Sequence, residues 1–322
     1  MRSPAHGKPG IANLSPIGER EITEVLDQVS RTLHGRQTRS RNRPARGLDG
    51  RTLALLVPWW ANELIGNPLS TTRCRELQIV QAHLLAFIHV HDALLDGHAA
   101  LRRQRVADIA PLLFEAQRRL ATLFAPGDPF WSEFEALLRD QASSARWEMR
   151  APPPGRFDAQ LLRRLSQKLA LFRWPAFAVP RLAHRPRAIP LLDRILDAFY
   201  LVLQLLDDLH DVRDDAASGQ INAVLAASGG TSLSLRDLAP GVLRVCSLAQ
   251  ERLSWIETHS RPTSTLRRTC AYLSDCVRKA AVPSRQMEQA RLLTRSLRQV
   301  VDSISLAAAR PAELARAARV RG

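Results

Sequence analysis

The chain is predicted to be all-α, a single-domain bundle of long helices behind a basic arm. Three observations predict this. From Leu48 onward apolar residues recur at three- and four-residue spacing, Leu, Ala and Arg dominate, and β-branched alternation is scarce. No βαβ alternation appears, so a parallel sheet is not expected. With 322 residues, 45% of them hydrophobic, the chain can bury enough apolar surface to offset the entropy of ordering, which excludes disorder of the whole.

Residues 1–47 read as a basic arm with a short helix at Ile22–Leu33. Within it His34–Arg46 (HGRQTRSRNRPAR) carries five Arg and no acid, as a solvated tail does, or one that folds over an anionic ligand or touches nucleic acid. The helical domain spans 48–310, with helices expected at Leu53–Ile65, Thr72–Leu95, Leu101–Leu123, Phe130–Arg150, Ala159–Leu171, Ile189–Ala217, Pro240–Thr258, Thr263–Lys279 and Ser284–Ala309. Pro58 and Pro111 should kink or split the first and third. Breaks fall at Ala125–Pro129 (APGDP), Ala151–Gly155 (APPPG), the prolines at 180, 186 and 190, and Ser228–Ser232 (SGGTS). Pro240 and Pro283 are placed at helix starts, where a missing N–H costs little. Residues 311–322 form a basic tail.

The charge is +15, from 46 basic and 31 acidic residues, which suits an anionic partner: nucleic acid, anionic lipid or a phosphorylated small molecule. The most apolar stretch, Leu77–Val90, contains His83 and His89 and runs into Asp92, too short and polar to span a bilayer. The N-terminus carries no apolar signal core, and Cys74, Cys246, Cys270 and Cys276 lack metal-ligand spacing, so reduced thiols and a cytoplasmic location are expected. No helix-turn-helix, zinc or RNA-module signature appears, so nucleic acid is not the expected partner; a helical nucleic-acid-binding protein using Arg36–Arg51 is the reading from another class.

The acids are unevenly placed. Asp207, Asp208, Asp211, Asp214 and Asp215 all fall within nine residues of Leu203–Gln220 (LQLLDDLHDVRDDAASGQ). Asp207, Asp211 and Asp215 are spaced i, i+4, i+8, and each step of four drifts only about 40°, so they form one stripe on a helix. Like charges at this spacing destabilise a helix. Either the stripe is an exposed helix end paired with arginines, or it is compensated by a hard divalent cation such as Mg²⁺, which bridges carboxylates to substrate phosphates. A second pair, Asp92 and Asp96 in Phe87–Gly97 (FIHVHDALLDG), favours the cation. Two apolar helices with facing aspartate stripes would make a metal-lined mouth over a central apolar cavity, suited to a diphosphate on a hydrocarbon chain. Arg102, Arg103 and Lys168 are candidate donors to the phosphate oxygens, or ordinary surface charges.

These residues resemble the class I isoprenoid synthase superfamily, the trans-prenyltransferases and terpene synthases, over roughly Leu48–Gln220. Val90–Gly97 (VHDALLDG) is similar to the first aspartate-rich motif, with Asp92 and Asp96 in its outer positions and Ala93 replacing the second aspartate. Arg102 and Arg103 resemble the arginine pair that follows it, one residue further along. Lys168 stands near the phosphate-binding lysine. Leu203–Asp211 (LQLLDDLHD) resembles the second motif, with Gln204, Asp207, Asp208 and Asp211 in register, and Asp207/Asp211/Asp215 have the spacing of the terpene-synthase metal triad.

The resemblance implies the isoprenoid synthase fold, three Mg²⁺ ions held by Asp92, Asp96, Asp207, Asp208, Asp211 and Asp215, and diphosphate bound by Arg102, Arg103 and Lys168. Asp92, Asp96, Asp207 and Asp211 would carry the catalysis. Phe87, Gln204, Phe172 and Phe199 would line the substrate pocket, although plain core packing is the commoner role for any one of the rings. Phe87, five residues before Asp92, suggests a C10 to C15 substrate. Relatives often form homodimers. Chain-elongating members carry a Gly-Lys-x-x-Arg segment for isopentenyl diphosphate; here the corresponding stretch is Gly50-Arg51-Thr52-Leu53-Ala54, and the later Gly-Lys is Gly219-Gln220. The departures favour a one-substrate terpene synthase or cyclase. The alternatives are an elongating trans-prenyltransferase of the geranyl, farnesyl or geranylgeranyl diphosphate synthase type and, suggested by the DxxxD form of the first motif, a head-to-head condensing enzyme.

Overall fold

The computed structural model describes residues 50–95, 106–149, 156–229, 235–261 and 264–281, together with the helical residues Glu24, Val25 and Val29. Among these, every regular element is helical, eleven α-helices and two 3₁₀ turns, as the apolar spacing predicts. None of the described helices is long and apolar enough to cross a membrane. Contacts divide the chain into two compact units, one of residues 1–60, 70–125 and 295–322, the other of residues 61–69 and 126–294. The predicted helix Ser284–Ala309, the tail 311–322 and all but three residues of the arm lie outside the described residues.

In the first unit, α1 (Gly50–Leu55) is separated at Leu56 from α2 (Val57–Leu64), whose residues from Ala61 onward belong to the second unit. Pro58 takes the second position of α2, so the predicted Leu53–Ile65 helix is split where its proline implies. α3 (Thr71–Leu95) packs along α4 (Val106–Ala121) and against α1. Pro111 lies inside α4 without ending it. Every residue from Leu77 to Leu84 is buried, polar ones included. Gln81 Nε2 donates to the Ala54 carbonyl at 3.1 Å, tying α3 to α1, and His83 Nδ1 lies 2.8 Å from the Ile79 carbonyl oxygen. Burial holds His83 below its ordinary pKa, hence neutral.

The second unit is built around α8 (Ile189–Ser218), which contacts α6 (Ala159–Gln167), α7 (Pro175–Leu182), α9 (Ala223–Ser228) and α10 (Leu235–His259). Leu192, Ile195, Leu196, Phe199, Val202 and Leu205 are among its buried residues; with neighbours on several sides, a helix must be apolar nearly all round. α5 (Phe130–Glu148) and α11 (Thr265–Ala280) complete the unit against α6 and α10 respectively. Short polar side chains set the starts. Asp158 accepts from Gln160 N and Leu161 N at 3.0 and 2.9 Å, and Ser264 accepts from Arg267 N at 3.3 Å.

Three expectations are corrected. The helix expected at Ala159–Leu171 stops at Gln167 and gives way to a 3₁₀ turn, Ala170–Arg173, before Pro175 opens α7. Ala170, Leu171, Phe172 and Trp174 are all buried, and one face of an amphipathic helix cannot bury nearly consecutive residues. Pro240 does not start a helix: α10 begins at Leu235 and carries Pro240 inside it, where burial of Leu238 and the acidic Asp237 in the first turn offset one lost backbone bond. The short α9 is absent from the predicted elements because six residues carry too little periodicity to register.

Candidate functional site

Lys168, Gln204, Asp207, Asp208, Asp211 and Asp215 belong to the second unit. α8 leaves its buried stretch at Leu206, and there the aspartates begin. Asp207 is exposed, Asp208 is buried, and Asp211 and Asp215 are half-buried. Asp207 and Asp208 are about 100° apart on the helix, which sends one carboxylate outward and its neighbour inward.

Asp208 is fully engaged by protein. Its Oδ1 accepts from Gln204 Nε2 at 2.8 Å, and its Oδ2 accepts from the Ala223 backbone N–H at 2.6 Å, at the first residue of α9. Gln204, expected to line a pocket, is buried and serves this carboxylate. The positive φ of Gly219, +71°, ends α8 in a left-handed cap. The chain then doubles back, and Gln220 N donates to the Asp215 carbonyl at 2.8 Å. This return brings Asn222 against α8. Its Nδ2 donates to the Asp208 carbonyl at 2.7 Å and to Asp215 Oδ2 at 2.8 Å, while its Oδ1 caps α9 by accepting from Val224 N at 2.8 Å.

Lys168 follows the last residue of α6, and its Nζ lies 2.6 Å from Glu148 Oε1, at the end of α5. Burial works against its charged form, but Glu148, Asp208 and Asp207 outweigh it and raise its pKa, so Lys168 stays an ammonium. Asp207 is pushed up to about 7, by enclosure first and then by the like charges of Asp211 and Asp208. Its exposure to solvent tempers the enclosure, so the like-charge contribution is the firmer one. Burial raises Asp208 to about 6 against its hydrogen bonds, and burial also raises Asp215.

A carboxyl raised in this way holds protons in the folded chain that the unfolded chain has already lost. Its stabilising contribution is therefore complete below about pH 4 and disappears as the pH climbs through about 6 to 7. In chelator, stability is expected to fall between about pH 5 and pH 8 by about 1–2 kcal/mol once solvent screening at Asp207 is allowed for. That corresponds to roughly 2–8 °C in melting temperature. Mg²⁺ at pH 8 should recover part of it and Asp207→Asn should flatten the profile; calorimetric melts with and without chelator check both.

Asp207, Asp208, Asp211, Asp215 and Glu148 set five carboxyl groups in one electrostatic neighbourhood with Lys168, and His210 Nε2 lies 3.6 Å from Asp211 Oδ1. Among the described residues no group of three or more His, Cys, Asp or Glu side chains is placed to hold a metal ion. Asp207, Asp211 and Asp215 lie on one stripe of α8, the first exposed and the other two half-buried. Asp208, with both oxygens on protein donors, supports the site from behind.

The remaining predicted residues are placed as follows. Asp92 lies on α3, but its side chain, with Asp96, Arg102 and Arg103, lies outside the described residues. Phe87 is half-buried on α3, its ring stacked on His91 with centroids 6.1 Å apart. Phe172 and Phe199 are packed in the core around Tyr200, whose hydroxyl donates to the Phe172 carbonyl at 3.2 Å. A cavity of about 360 Å³ on α6, lined by Ala159, Gln160, Arg163, Arg164 and Gln167, contains none of the predicted site residues.

Two participants were not predicted. Asn222 carried a readable signal, an N-cap residue type directly before the apolar run AVLAA. Glu148 carried none, because its meeting with Lys168 is made across 20 residues by the packing of α5 on α6. Compared with protein-family models, with curated proteins and with solved structures, the chain matches none.

Proposed function

We propose that this chain is a Mg²⁺-dependent class I terpene synthase or cyclase that ionises a prenyl diphosphate. The observation that carries the reading is the Asp207/Asp211/Asp215 stripe at the point where a core helix leaves its apolar surroundings, with the Lys168 ammonium held at its side. The order and spacing of the two aspartate motifs support the same reading.

Asp207, Asp211 and the second oxygen of Asp215 would hold the cation from α8; the resemblance adds Asp92 and Asp96 as further ligands. Bound Mg²⁺ would supply charge neutralisation of the departing diphosphate. Lys168, with Arg102 and Arg103, would donate to its non-bridging oxygens, where negative charge grows as the carbon–oxygen bond breaks. The allylic cation left behind requires walls of apolar and aromatic side chains and no nucleophile. The altered Gly50–Ala54 segment and Gly219-Gln220 leave a second diphosphate without its usual cations, which argues for a single substrate.

The test is incubation with geranyl, farnesyl and geranylgeranyl diphosphate and Mg²⁺, with and without isopentenyl diphosphate. Inorganic diphosphate is assayed and products are separated by gas chromatography. Diphosphate release from the allylic substrate alone, with a hydrocarbon or alcohol product, is expected. A longer prenyl diphosphate appearing only with isopentenyl diphosphate would identify an elongating prenyltransferase instead. Absence of any Mg²⁺-dependent release would reject the proposal.

A further inference from the structure

The N-terminal end of α8, away from the aspartates, carries a different surface. The 3₁₀ turn Pro186–Ala188 runs directly into α8, so Arg187, Leu191 and Arg194 fall at i, i+4 and i+7 on one face. All three are exposed, Leu191 at 43%. α10 brings Trp255 against this face. The Arg194 guanidinium sits 5.1 Å from its ring centroid, and His259, one turn on, stacks on it at 4.3 Å. Two residues past His259, Arg261 lies against Gly66, where a Cβ would come within 3.0 Å of the guanidinium. The carbonyl just before, that of Ile65, accepts from Arg185. A belt of basic and apolar groups thus runs from Arg187 through Trp255 to Arg261 and back to Arg185.

Arg185, Arg187, Arg194 and Arg261 are all exposed and make no ion pair among the described residues. The carboxylates of the neighbouring elements are engaged elsewhere. Asp193 and Asp197 close on Arg173, and Glu63 accepts from the Thr265 N–H at 2.9 Å. Glu257, two residues from Trp255, leaves α10 about 200° away from it. Glu251, exposed one turn before Trp255, is the carboxylate that shares this side of α10.

We infer that this belt is a docking surface for an anionic lipid bilayer, lying on the headgroups without entering the hydrocarbon. The inference requires nothing of the chemistry proposed at the other end of α8. Arginines without counter-ions complement headgroup phosphates, and each near such a surface contributes about 1 kcal/mol, roughly fivefold in partition. Leu191 adds apolar area at the centre of the charge, and Trp255 is a ring of the type that settles at a membrane interface. Nucleic acid fits less well, because His259 and Arg194 already make the stacking and cationic contacts to Trp255 that a base would need.

The full chain is sedimented with vesicles of phosphatidylcholine alone and with vesicles of phosphatidylcholine and phosphatidylglycerol in equal parts. The parent should bind the mixed vesicles and not the neutral ones, and raised salt should release it. Arg187→Gln with Arg194→Gln should weaken binding about 20-fold, and Leu191→Gln about threefold. Should that pair melt below the parent, Arg187→Gln alone is expected to cost about fivefold. Arg139→Gln with Arg163→Gln, on α5 and α6, removes the same charge elsewhere and should keep parent binding. Equal losses from both pairs would reduce the effect to net charge and overturn the inference. So would parent-like binding after loss of Arg187 and Arg194, or a parent chain that ignores anionic vesicles. Binding to duplex DNA that fails in the Arg187 and Arg194 variant, with vesicle binding unaltered, would assign the belt to nucleic acid instead.

Discussion

Asp207→Ala is expected to lower Mg²⁺-dependent release of inorganic diphosphate from a prenyl diphosphate by at least about 100-fold, the scale of losing one electrostatic contact to a transition state. Asp211→Ala should behave alike. The fold should not suffer with the activity. Asp207 is exposed and repelled by Asp211 and Asp208, so its removal relieves like-charge strain, and at pH 8 in chelator the variant should melt no lower than the parent. Asp208→Ala provides the contrast. It strips both Gln204 and the Ala223 N–H of their acceptor, and a buried donor left unpaired costs about 1–3 kcal/mol, so here stability falls as well. Wild-type diphosphate release from a folded Asp207→Ala chain would remove α8 from the chemistry.

The largest stability effect is expected at Gly241, on the face of α10 that meets α9. A Cβ added there would lie 2.4 Å from the Val224 carbonyl oxygen and 2.1 Å from Ser228 Oγ. A hydroxyl can rotate away, although Ser228 Oγ already donates to that same carbonyl at 2.7 Å; the backbone oxygen cannot move alone. Gly241→Ala therefore has to push α9 bodily from α10. Overpacking of this kind costs about 3 kcal/mol, which lowers the melting temperature by roughly 6–12 °C in a protein of this size. The displacement also bears on the site, because α9 is the element that Asp208 and Asn222 hold against α8. Gly241→Ala should thus lower Mg²⁺-dependent diphosphate release in parallel, whereas Gly127→Ala, whose Cβ would meet nothing within 4 Å, should leave both unchanged. An unaltered melt of Gly241→Ala would show that α9 is free to shift.

Much of this architecture is local and was legible for that reason. Helical periodicity and prolines act within a turn or two of their own positions, so they locate α8 to within a residue and place Asp207, Asp211 and Asp215 on one stripe. Tertiary packing alone decided the rest. Asp207 and Asp208 are neighbours of identical chemistry, and the docking of α9 brings the Ala223 N–H that makes the inward one a buried acceptor. Lys168 looks like any basic residue near a helix end until Glu148 arrives from α5. The aromatic residues Phe172 and Phe199 suit a pocket or a core equally by composition, and the neighbours around Tyr200 make them core. A residue's own helix determines the direction in which its side chain leaves, but what it meets there is set by elements distant in sequence.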